Sequence, residues 1–109
     1  MANSNFTVIW EFHVKPDVLV HFETVYGPEG EWAQLFRASH DFLGTTILRG
    51  ADQAGRYLTV DRWKSAEALH QFKREHQTQY DALDRRCESL TEREALVGNF
   101  FEDASGQSD

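Results

Sequence analysis

Between Tyr57 and Cys87 the apolar residues change their spacing, and that change fixes two consecutive elements. Tyr57-Leu-Thr-Val-Asp61-Arg62-Trp63 is rich in β-branched and aromatic residues and reads as a strand that ends on a tryptophan. Beyond it, Leu69, Phe72, His76, Tyr80, Leu83 and Cys87 follow at steps of three or four. That is one face of a helix over about five turns. Ser65 stands where an N-cap belongs, and Glu67 lies near the positive end of the helix dipole. Ala68 occupies the place where a capping box needs Glu or Gln, so the cap is single-sided. The helix keeps a titratable group, His76, inside an otherwise apolar stripe.

The remaining elements can be placed around this pair. Phe6, Val8, Trp10, Phe12 and Val14 alternate with Thr7, Ile9, Glu11 and His13, which predicts a first strand with one apolar face. Pro16 suits a first helical turn, and Val18, Phe22 and Val25 form a stripe that Gly27-Pro28 ends. Trp32, Leu35 and Phe36 predict a short second helix. Phe42 to Arg49 reads as strand two, joined to strand three by a turn in Gly50 to Gly55. Glu92 to Phe101 reads as strand four, with Ala95, Val97, Asn99 and Phe101 on one face.

The order β-α-β-β-α-β predicts an α+β, ferredoxin-like fold, an antiparallel sheet with helices on one face. The uncovered face is expected to carry Ile9, Leu43, Ile47, Leu58, Val60, Leu96 and Phe100. That is a large apolar surface to leave in water, so a homodimer in which two sheets pack face to face is expected. At 109 residues the chain is expected to be one domain over residues 1–101, followed by a polar, disordered tail over 102–109.

Charge and composition exclude several classes of partner. The formal charge of −7 disfavours nucleic acid and anionic membranes, which need a basic face. No apolar run is long enough to span a bilayer, and the polar N-terminus lacks the basic and apolar regions of a signal peptide. Cys87 is the single cysteine, which excludes an internal disulfide and fits a reducing, cytoplasmic setting. Glu67 and His70 have ligand spacing on a helix, but no second pair and no Cys/His cluster accompanies them, so no metal site is expected.

The chain resembles the antibiotic biosynthesis monooxygenase (ABM) domain family of the dimeric α/β-barrel superfamily, over about Thr7 to Phe101. The resemblance rests on Phe42-Leu43-Gly44-Thr-Thr-Ile-Leu48, on Tyr57…Asp61-Arg62-Trp63-x-Ser65-x-x-Ala68-x-x-x-Phe72, and on Tyr26-Gly27-Pro28-x-Gly30-x-Trp32. It implies a pocket between helices and sheet. It also implies oxidation of a small aromatic or quinol-like molecule by dioxygen, with no metal, flavin or other cofactor. The physical logic is that a deprotonated, electron-rich phenol can pass an electron to dioxygen itself. The protein then supplies an apolar cavity, a base and exclusion of water.

The chain departs from what the resemblance implies. An amide is expected four residues before Trp63, where Thr59 stands, and a tyrosine near the first turn of the next helix, where Leu69 stands. The asparagine, tryptophan and histidine implied for the haem-degrading branch fall near Phe12, Phe72 and either His76 or Ala82, so that set is not intact. These departures keep open a non-catalytic small-ligand-binding or interaction module of the same fold. An isomerase or cyclase using His76 as base, without dioxygen, is a third reading.

The site expected from these residues has Trp63, Thr59, Phe72, Trp32 and Leu69 lining a substrate pocket, with His76 and Tyr80 as the catalytic polar groups. Neutral His76 can accept a proton near physiological pH. It is equally a histidine bonded to a backbone carbonyl, or the site of a bend near Glu75-His76-Gln77. Trp63 is at once a possible stacking wall and a packing anchor at a strand-helix corner. Tyr80, one turn beyond His76, can hydrogen-bond to it or carry its hydroxyl to a rim.

Overall fold

The structure, a computed structural model, describes residues 4–103. Strand β1 (Ser4–Val14) buries Phe6, Val8, Phe12 and Val14 on the face that alternation predicts. Pro16 opens a one-turn 3-10 helix (Pro16–Val18) that leads into α1 (Leu19–Tyr26), which buries Phe22, Val25 and Tyr26. The chain turns at Gly27–Gly30 into α2 (Glu31–Phe36). A Cβ on Gly30 would collide with the carbonyl oxygens of Thr24 and Val25, so only glycine lets the connection fold back so closely onto α1.

Strands β2 (Phe42–Arg49) and β3 (Arg56–Trp63) form the hairpin, and β3 passes into α3 (Ala66–Glu75). Ser65 Oγ accepts the Ala68 N–H at 3.0 Å, the single-sided cap that the sequence specifies. Helix α4 (Gln77–Cys87) and a 3-10 turn (Glu88–Leu90) lead to β4 (Thr91–Asp103). The four strands are antiparallel in the order β2-β3-β1-β4, and the helices cover one face. This is the α+β, ferredoxin-like arrangement expected from the element order. The largest fully buried side chains, Trp63, Tyr57, Phe22 and Phe72, lie between the two layers.

Four local differences from the sequence reading have physical causes. The long helix is two helices, because His76 leaves helical geometry at φ −126°, ψ 28°. The bend keeps its flanking bonds: His76 N–H donates to Phe72 O and Tyr80 N–H donates to His76 O, both at 2.9 Å. Strand β4 carries a bulge: Ile9 faces Gly98 while Trp10 faces Leu96, which leaves Val97 unopposed. The bulge reverses the alternation, so Asn99 and Phe101 share the helix-side face with Val8 and Phe6 while Ala95 shares the outer face with Glu11. Ile47 pairs with Thr59 and belongs to the helix side, and Leu48, opposite Leu58, takes the outer position. The last difference is at the tail. Glu102 and Asp103 belong to β4, and residues 104–109 lie outside the described residues.

Gly44, at φ +137°, marks a further bulge, in β2 beside Leu43. On the outer face Val60 is buried, Ile9 and Leu58 are half-buried, and Leu48 and Phe100 are exposed. The charged side chains of Glu11, Arg56 and Arg62 interrupt this apolar surface, with Arg56 paired to Glu11 and Arg62 to Glu102.

Candidate functional site

Aromatic packing between the helices and the sheet leaves a sizeable space. Six aromatic side chains wall a cavity of about 110 Å³: Trp10 and Phe12 from β1, Tyr26 from α1, Trp32 and Phe36 from α2, and Tyr80 from α4. Its polar lining is Thr59 and Asp61 from β3, Asp84 from α4 and Glu94 from β4. A smaller space of about 30 Å³ adjoins it and shares Trp10, Phe36, Asp61 and Tyr80, while Trp63, Leu69 and Lys73 line only the smaller one. An empty apolar cavity of about 150 Å³ admits benzene. The larger space, at about 110 Å³, is smaller than that, so a single aromatic ring would fill it and the rest of a ligand would lie towards its mouth.

The expected site residues divide between these spaces. Trp32, Thr59 and Tyr80 line the larger cavity, and Trp63, Leu69 and Tyr80 the smaller. Trp63 is 1% exposed and packs against the rings of Phe36, Phe42 and Phe72 at 5.1–5.4 Å, as a corner anchor does. Phe72 is buried in the same cluster and lines neither space. His76 also lines neither. It stands half-buried at the α3–α4 bend, its ring stacked on Phe72 with centroids 4.9 Å apart.

The bend redirects α4 so that Tyr80 packs edge-on against Trp32, ring centroids 5.1 Å apart, between the two spaces. The Lys73 ammonium sits 5.1 Å from the centroid of the Tyr80 ring. Burial, followed by the nearby Asp84 and Asp61 carboxylates, pushes the Tyr80 hydroxyl up to about 12. Tyr80 is therefore a neutral hydrogen-bonding group at physiological pH.

The acid/base candidate that the spacing left aside is Asp61. Period two already placed it on the helix-side face with Thr59 and Trp63, where a charged residue is unusual. Its Oδ1 accepts the Thr45 hydroxyl at 2.7 Å. Burial nevertheless raises its carboxyl to about 6, against the opposing pull of the Thr45 bond and the Arg62 charge. The surface that Asp61 keeps faces a narrow cavity rather than bulk water, which reconciles partial exposure with strong desolvation.

Glu94 is held above the ordinary carboxylate range by burial and by Asp84 and Glu88. Sequence could not place Glu94 without knowing of the bulge in β4 that follows it. Asp84, one turn beyond Tyr80, was readable only once that tyrosine was known to face a cavity. Among the described residues no group of three or more His, Cys, Asp or Glu is arranged to hold a metal ion, and no helix is long and apolar enough to cross a membrane. Trp32 Nε1 is buried beside the Tyr26 hydroxyl and the Cys87 thiol.

No protein-family model matches the chain, and none of the curated proteins compared matches it. Solved structures do. SnoaB, a cofactor-independent oxygenase from Streptomyces nogalater solved as an asparagine-to-alanine variant, superposes with a TM-score of 0.68 at 21% identity, over 95% of each chain. PA3566 from Pseudomonas aeruginosa superposes with a TM-score of 0.62 at 16% identity, over 91% of this chain and 94% of that one. A Bacteroides thetaiotaomicron protein of unknown function, described as a possible oxidoreductase, gives a TM-score of 0.62 at 14% identity, over 91% of this chain and 98% of that one. With the strand order and the helix-covered face, these likenesses show that the chain shares the ferredoxin-like fold of these structures.

Proposed function

We propose that this protein is a cofactor-independent monooxygenase acting on a small aromatic or quinol-like molecule, with Asp61 as its base. The observation that carries the reading is the Asp61 carboxylate, raised to about 6, opening into a cavity walled by six aromatic rings. Ionised at neutral pH, Asp61 takes the proton of a phenolic hydroxyl held in the cavity. Proton transfer from a phenol of pKa about 10 to this carboxylate is uphill by about 5 kcal/mol. A turnover of about 10 per second tolerates a barrier of about 16 kcal/mol, so the step is affordable.

The resulting anion gives an electron to dioxygen, and the two radicals combine as a peroxide. Loss of water then leaves one oxygen atom in the product. For hydroquinone the balance is one quinol and one dioxygen to hydroxybenzoquinone and water. Thr59 and the Tyr80 hydroxyl serve as hydrogen-bond partners, and the aromatic walls exclude water. His76 acts on this account by holding the bend that aims Tyr80 at the cavity.

The second reading, a non-catalytic binding module, is favoured by one feature. Asp84 and Glu94 line the same cavity, and a phenolate is disfavoured beside further negative charge. An oxygen electrode separates the two readings. The monooxygenase consumes dioxygen one-to-one with hydroquinone and forms water, whereas a binding module shows saturable ligand binding with no uptake above the uncatalysed rate.

We also infer that two copies pair through their outer sheet faces, where Ile9, Leu48, Leu58 and Phe100 are only partly covered. A reducing, cytoplasmic setting accords with the single cysteine, Cys87, which is buried.

A further inference from the structure

The cavity holds a second kind of information beyond its fit to a ring, namely its charge. Its lining carries three carboxylates, Asp61, Asp84 and Glu94, supplied by three different elements, and no lysine or arginine. Lys73 lies over the Tyr80 ring and lines only the smaller space, and Arg62 acts on Asp61 from outside the lining. Aromatic faces attract cations through their quadrupoles, and desolvated carboxylates do so directly. The same surroundings reject an anionic ligand by like-charge repulsion.

The same cavity also offers partners for a ligand oxygen, since Thr59, Asp61 and Tyr80 line it together. We propose that the physiological ligand is a small aromatic amine: a single ring carrying a hydroxyl for Asp61 and a protonated amino group for the Asp84 and Glu94 end. This rests on the reading that the cavity is the ligand site. It also answers the electrostatic objection to catalysis, because an ammonium group on the substrate offsets the carboxylates beside a developing phenolate.

Three probes that share one ring separate charge from shape: tyramine (ammonium), p-cresol (neutral) and 4-hydroxyphenylacetate (anion). Isothermal titration at about pH 8 keeps the first cationic and the last anionic. Tyramine is expected to bind about tenfold or more tighter than p-cresol, and 4-hydroxyphenylacetate to bind weakest. Glu94→Gln, on the exposed rim, should weaken tyramine about threefold or more and leave p-cresol unchanged. Asp84→Asn should act in the same direction, giving a second variant should the first not fold. Glu29→Gln, an exposed acid outside the cavity lining, should change neither and controls for overall charge.

The ammonium proposal is overturned if p-cresol or 4-hydroxyphenylacetate binds as tightly as tyramine, or if Glu94→Gln and Asp84→Asn leave the tyramine preference intact. In either case the cavity remains a ligand site of other charge preference. Absence of binding by all three probes overturns the cavity reading and the ammonium proposal together.

Discussion

Thr45 and Asp61 face each other across β2 and β3, and the Thr45 hydroxyl donates to Asp61 Oδ1 at 2.7 Å. The bond favours the ionised carboxylate, yet burial raises Asp61 to about 6, so desolvation outweighs it. Two strands thus hold a carboxyl group that burial keeps above the ordinary carboxylate range.

Removing that bond should move the acid limb of activity. Hydrogen bonds to charged groups contribute about 1.5–3 kcal/mol, and water entering the cavity mouth replaces part of that. In Thr45→Val the Asp61 carboxyl should rise further, and the pH at half-maximal rate should shift upward by about one unit. A pH–rate profile checks this, and an unmoved or downward-shifted limb contradicts it.

Asp61 should also cost stability at neutral pH. Its folded pKa, about 6, lies above its ordinary value of 3.8. The fold therefore favours the protonated acid: its contribution is fully present below about pH 4, is lost as pH rises to about 6, and is flat above that. Asp61→Asn removes the penalty. It should be about 2 kcal/mol more stable than wild type at neutral pH, allowing for the cavity's contact with water, with the difference vanishing near pH 4. Urea melts at the two pH values measure it, and an Asn variant that is less stable at neutral pH refutes the burial argument.

His76→Ala should behave as a structural change rather than a catalytic one. It removes the stack on Phe72 at 4.9 Å, worth about 0.5–1.5 kcal/mol. Dioxygen uptake should stay within about twofold of wild type while the melting temperature falls. A rate loss of a hundredfold, the scale of a lost general base, would return the base to His76.

The outer face offers a prediction about assembly. Phe100 is 45% exposed beside Thr7, and Leu48 is 47% exposed opposite Leu58. Phe100→Glu with Leu48→Glu should convert a dimeric wild type to monomer in sedimentation velocity, because burying two unpaired carboxylates per subunit is unfavourable. A monomeric wild type, or a double variant that still pairs, contradicts the sheet-to-sheet dimer.

The element order was legible because local signals agree with the fold. Alternation in Phe6–Val14, the Ser65 cap and the Gly27-Pro28 stop each act within a few residues. The site was less legible because it depends on register. Asp61 sat in plain view on the correct strand face, but its acidity is set by what covers it, and covering is a tertiary fact. Alternation put Asn99 on one face with Ala95, and the bulge at Val97 separates them and turns Glu94 to the helix side; an unopposed residue leaves no trace in composition. His76 stood out by spacing, yet spacing does not distinguish a pocket-facing residue from one at a helix break. Polar Glu75-His76-Gln77 marked the bend without fixing its direction.

The most direct measurement is incorporation of isotopically labelled dioxygen into product by wild type and by Asp61→Asn, with hydroquinone as substrate. The account predicts one labelled oxygen atom per product from wild type, and loss of labelled product by about a hundredfold or more in a variant that remains folded. Equal incorporation by both proteins, or product formed by wild type without label, would contradict it.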